Sequence, residues 1–128
     1  MCLALSSWLL TGCGPSSTAN TEQDAVARLS AALVAYNASA PRDVAAAGAE
    51  CRLALGKLQS ASLLAKPPPA GKGQGARHAL HETYVLAHAG FADCAAGAAR
   101  MSYPQMAHAA NELTDANAWI RQAKLLDR

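Results

Sequence analysis

Aromatic side chains are scarce in this 128-residue sequence: one Phe, two Trp and three Tyr make up 5% of it. A core with so few rings must be filled by smaller groups. Charge is sparse as well, at 16% of residues and a net +2, without the clustered Lys/Arg footprint that nucleic acid demands. DNA and RNA are therefore not expected as partners. Catalytic signatures are missing too. None of Glu22, Glu50, Glu82 and Glu112 is followed three residues later by His, as di-iron bundles require, and no CxxCH is present for covalent haem. No GxSxG elbow, Cys–base pair or Ser/Lys pair stands out. The glycine-rich Gly71-Lys72-Gly73-Gln74-Gly75 lacks the spacing and the preceding strand of a phosphate loop. The chain reads as non-enzymatic, with no cofactor expected.

Alanine fills the gap. About one residue in four is Ala, the strongest helix former, and a chain of this length suits a single domain. There is no β-type alternation and no internal repeat. Four helical segments follow from the apolar spacing. Thr21-Glu22-Gln23-Asp24 has the shape of a capping box, after which Val26, Leu29, Leu33 and Tyr36 fall on one face until Asn37 to Ala40 breaks the run. Pro41 suits the first turn of a second helix and Asp43 its positive end, with Val44, Gly48, Cys51, Leu55, Leu58 and Ser62 along the inward seam. Pro67-Pro68-Pro69 and the glycine-rich stretch after it turn the chain.

In the third segment Leu80, Tyr84, Ala87, Phe91, Cys94, Ala98 and Met101 line one face, and no charge occurs from Thr83 to Ala92. That helix should be the most buried. Ser102-Tyr103-Pro104-Gln105 caps a fourth, lined by Met106, Leu113, Ala116, Ile120 and Ala123, with Trp119 closing the bundle end. Short links favour antiparallel neighbours, so the expected fold is all-α: an up-and-down antiparallel four-helix bundle spanning residues 21–128.

The N-terminus carries a different message. From Met1 to Thr21 there is no charged residue, and the apolar run Leu3 to Leu10 stops at Leu10-Thr11-Gly12-Cys13. This tetrapeptide resembles the lipobox of bacterial lipoproteins. The resemblance implies that residues 1–12 are a signal peptide removed on export and that Cys13 becomes a diacylated N-terminus. Residues 13–20, with Gly14-Pro15-Ser16-Ser17-Thr18, are then a flexible tether. No Lys or Arg precedes the apolar run, a departure from the usual leader that implies a signal peptide truncated at its start. Two acyl chains anchor stably where one binds only marginally. The implied location is the extracytoplasmic face of a bacterial cell membrane, with the membrane as one partner and an envelope protein as another.

Cys2 falls in that leader and Cys13 at the lipid site, which leaves Cys51 and Cys94. Export places them in an oxidising compartment, and they lie on the inward seams of the second and third helices, at similar heights above the turn. Small neighbours Ala47, Gly48, Gly90, Gly97 and Ala98 permit a close approach. One inter-helix disulfide is expected. Buried free thiols and metal ligation are the competing readings, but no CxxC spacing or matched His pair accompanies these cysteines.

The histidines supply the remaining candidate chemistry. His78 and His81 lie one turn apart, and His81 and His88 share a face of the third helix. On the fourth, His108, Glu112 and Asp115 share another, and a meeting of the two faces would give a mixed nitrogen and oxygen site for a transition metal. The opposing reading is an ordinary solvated face. The leading functional expectation is a lipid-anchored, non-enzymatic binding or structural module; the alternative is a metal- or small-ligand-binding lipoprotein using the helix-three histidines.

Overall fold

A computed structural model describes residues 21–69 and 75–126. The lipobox, Cys13 and the tether lie outside the described residues. Four helices run in order as α1 (Glu22–Ala38), α2 (Val44–Gln59), α3 (Gly75–Arg100) and α4 (Tyr103–Leu126). Sequence neighbours pack as spatial neighbours, and α3 also touches α1, giving the expected all-α up-and-down bundle.

Local chemistry sets the helix starts. The Thr21 hydroxyl accepts from the Asp24 N–H at 3.0 Å, Asp43 accepts from the Ala46 N–H at 2.8 Å, and the Ser102 hydroxyl accepts from the Gln105 N–H at 3.3 Å. Each satisfies one orphan donor of a first turn. Asp43 as N-cap corrects the placement of Pro41, which precedes the helix instead of occupying its first turn. The end of α2 differs as well. After Gln59 the chain tightens into a 3-10 turn, Ser62–Ala65, which rotates the register: Ala61 and Leu64 are buried, whereas Ser62, expected on the seam, is exposed.

The end of α3 closes with a Schellman motif. Ser102 N–H donates to the Gly97 carbonyl at 2.8 Å and Met101 N–H to the Ala98 carbonyl at 3.2 Å. Met101 adopts φ 55°, in the left-handed region that this motif requires. It is therefore turned out to solvent at 58% exposure, and does not extend the buried seam of α3.

The core is held together by proximity. Phe91 is fully buried and meets Tyr36 edge to face, with ring centroids 5.0 Å apart. Around it sit Leu29, Leu58 and Leu64, with Ala25, Ala32, Ala87 and Ala116. α3 has the longest buried face, from Ala79 to Ala98. Glycines bring its neighbours close. A Cβ at Gly48 would stand 2.7 Å from the Ala98 Cβ, and one at Gly90 would stand 2.7 Å from Leu113 Cγ. The disulfide Cys51–Cys94 crosses the α2–α3 contact with Cα atoms 6.0 Å apart, within the range such a bridge spans.

The other end of α2 is fastened by polar groups. Arg77, whose side chain is 15% exposed, donates to Glu22 of α1 at 2.8 Å and to the Lys66 carbonyl at 2.9 Å. One guanidinium thus ties α1, α3 and the segment after the 3-10 turn together.

Two outcomes are expected from urea denaturation. Gly56, with nothing within 4 Å of an added Cβ, is a pure propensity position, so Gly56→Ala should stabilise by up to about 1 kcal/mol. Gly48→Ala should destabilise by about 1–3 kcal/mol, because the opposing Ala98 Cβ moves only with its backbone. Equal responses at the two sites would contradict the close-approach account. Reduction of Cys51–Cys94 should raise the intact mass by two hydrogen atoms. In a chain-entropy treatment, the Cys51→Ala/Cys94→Ala variant should lose about 4 kcal/mol of stability. An unchanged mass would remove the bridge from the description.

Candidate functional site

Helix periodicity places the four histidines, but packing decides what each one touches. His81 Nδ1–H donates to the Leu64 carbonyl at 2.9 Å, joining α3 to the 3-10 turn and fixing its tautomer. His88 stacks on Tyr84, with centroids 6.0 Å apart, and His78 meets Trp119 edge to face at 5.6 Å. The helix-three histidines therefore have separate partners. Trp119 sits half-buried beside the start of α3, at the bundle end where the sequence placed it.

His108 has different company. It stands one turn before Glu112 on α4, with Nε2 3.5 Å from Glu112 Oε2 and 3.9 Å from Asp93 Oδ2 of α3. One donor atom from each of Asp93, His108 and Glu112 lies within 4.8 Å of the other two. The polar face of α4 thus meets α3 at Asp93, away from His81 and His88. Asp115, expected on the same face as Glu112, is exposed and outside this group.

Asp93 owes its position to its neighbours in sequence. It lies three residues after Gly90 and four before Gly97, on the stripe that faces α4. An added Cβ at Gly97 would stand 2.9 Å from Met106 Cγ and 3.2 Å from Gln105 Cβ. Close packing on both sides holds the Asp93 carboxylate against α4. The Gln105 side-chain amide also donates to Asp93 Oδ1 at 3.4 Å. The signal in the sequence was Gly90-x-x-Asp93-x-x-x-Gly97, an acid set between two glycines on a helical face.

The two carboxyls are electrostatically unequal. Burial pushes the Glu112 carboxyl above its ordinary value, and the hydrogen bond and negative charge of Asp93 push it further, while the charge of His108 opposes them. Asp93 is held below its ordinary value, first by its hydrogen bond to Glu112 and then by Gln105 and His108, against the cost of its partial burial. Adjacent carboxyls that share a proton behave this way. Glu112 Oε1 is buried and has no hydrogen-bond partner, although the side chain as a whole remains 16% exposed.

A concavity opens between α1, the start of α3 and the end of α4. It is an apolar groove of about 350 Å³ lined by Val26, Leu80, Ile120 and Ala123, with Glu22 and Lys124 among its polar residues. At the other end of α1 the Asn37 side-chain amide donates to Asn117 Oδ1 of α4 at 3.0 Å. Among the described residues, no helix is long and apolar enough to cross a membrane. In comparisons of the chain with family models, curated proteins and solved structures, nothing matches.

The raised Glu112 carboxyl has a defined consequence for stability. A carboxyl favoured in its protonated form by folding stabilises fully at acid pH, and that contribution is lost as pH rises through its raised value. Asp93 acts in the opposite sense: its contribution is present above the ordinary aspartate value and is lost as pH falls through the depressed one. Thermal denaturation across pH should therefore show the wild type losing stability relative to Glu112→Gln as pH climbs from the ordinary glutamate value of 4.5. A constant gap between the two curves over that range would contradict the assignment.

Proposed function

We propose that this chain is a lipid-anchored, non-enzymatic binding module of the bacterial envelope, exposed on the extracytoplasmic side of the membrane. The observation that carries the reading is the Cys51–Cys94 disulfide. Such bridges persist in oxidising compartments and are rare in the cytosol. The lipobox-like Leu10-Thr11-Gly12-Cys13 supplies a route to that compartment, and the remaining cysteines fall into roles consistent with it. Cys13 is the lipid attachment, and Cys2 leaves with the signal peptide.

The architecture suits a tethered module. The tether of residues 13–20 enters the bundle at Thr21, the N-cap of α1. The apolar groove begins beside Glu22 and Gln23, so it lies at the anchored end of the bundle. On this reading the membrane is the first partner, and an envelope protein is the partner the module binds. The helices act as a rigid support, with the bridge and the Arg77 contacts limiting rearrangement.

Expression in a bacterial host with phase partitioning in a cloud-point detergent tests the anchor. The wild-type chain should enter the detergent phase, lack residues 1–12 and carry a diacylglycerol mass on its N-terminal peptide. Cys13→Ser should remain in the aqueous phase. Identical partitioning of both forms, with an unmodified peptide containing Cys13, would overturn the proposal.

A further inference from the structure

We propose that Asp93, His108 and Glu112 form a binding site for a divalent first-row transition cation, with Zn²⁺ as the representative ion. The site goes beyond membrane anchoring and does not depend on it.

One imidazole nitrogen and two carboxylate oxygens, from two helices, lie within 4.8 Å of one another. Bond lengths of about 2.0–2.2 Å to a tetrahedral zinc place its ligand atoms roughly 3.3–3.6 Å apart. His108 Nε2 already stands 3.5 Å from Glu112 Oε2 and 3.9 Å from Asp93 Oδ2. The His108 ring is 65% exposed, so it can adjust toward both carboxylates. Imidazole nitrogen favours zinc, nickel and copper over calcium and magnesium.

Glu112 Oε1 is buried and accepts no hydrogen bond, an unfavourable state for a carboxylate oxygen. A cation held by this carboxylate offsets that cost.

Neighbouring groups support the donors. The Gln105 amide on Asp93 Oδ1 orients the carboxylate so that Oδ2 faces His108, as outer partners of metal ligands do. Gly90 and Gly97 hold the α3 backbone against α4 on either side of Asp93, so the donors start from fixed positions. The exposed His108 side of the cluster leaves room for water in a fourth coordination position, as in open zinc sites. An ordinary surface pair of His108 with Glu112 needs neither Asp93 nor the unpartnered oxygen.

Calorimetric titration of the intact, oxidised chain with Zn²⁺ tests the site. One Zn²⁺ per chain is expected, with Cu²⁺ binding more tightly and Mn²⁺ more weakly, and with Ca²⁺ and Mg²⁺ failing to compete. Asp93→Asn, His108→Ala and Glu112→Gln should each weaken Zn²⁺ binding by about tenfold or more, a scale set by losses at supporting residues of known sites. His78→Ala and His88→Ala should leave it unchanged. Far-UV circular dichroism of each variant checks folding, and should Glu112→Gln unfold, Asp93→Asn and exposed His108→Ala decide alone. Absence of 1:1 binding, or binding that survives both Asp93→Asn and His108→Ala, would overturn the proposal.

Discussion

How near the backbones of α2 and α4 come to α3 governs this structure, because the sequence offers a single Phe and few large aliphatic groups to fill wider gaps. Dispersion falls steeply with separation, so small side chains stabilise a core only when the helices carrying them stand close. Gly48 opposite Ala98 and Gly90 opposite Leu113 provide that closeness. The Cys51–Cys94 bridge fixes it on the α2 side by a covalent bond. Phe91, Leu58 and Leu29 then fill the central space.

The same proximity has a chemical consequence on the α4 side. A stripe of glycines draws two helices together, and any polar residue on that stripe is drawn in with them. Asp93 is that residue, and α4 presents His108 and Glu112 to it. Neighbouring carboxyls shift one another's protonation: Glu112 is pushed above its ordinary value and Asp93 is held below its own. At the opposite end of α3 the polar contacts are structural: Arg77 and His81 bind carbonyls freed where α2 gives way to the 3-10 turn. Polar groups on one helix thus divide into a set that seals an end and a set with chemistry to spare.

Much of this was legible in the residues. The caps at Thr21 and Ser102 are local hydrogen-bonding devices, so a few letters suffice to identify them, whereas Asp43 takes the cap that the reading of Pro41 as a first-turn residue left no place for. The Cys51–Cys94 bridge followed from matching heights on two inward seams and small neighbours. Ser62 failed because the seam was extended at 3.6 residues per turn through a segment that tightens to a 3-10 turn, where the period is about 3.0. Met101 failed because a Schellman end usually announces itself with glycine, and here a methionine takes the left-handed position. Asp93 escaped notice since its role depends on tertiary register: α3 and α4 must slide to one alignment before an acid on one helix finds a His and an acid on the other.

α3 is the spine of the bundle, the helix against which α2 and α4 pack. Native-state amide hydrogen exchange addresses it most directly, since amides in the least easily opened part of a fold exchange only through global unfolding. The slowest amides are expected between Tyr84 and Ala98, with reduction of the bridge accelerating exchange in α2 and α3 together. Slowest exchange in α1 or α4, with α3 protection indifferent to reduction, would contradict it.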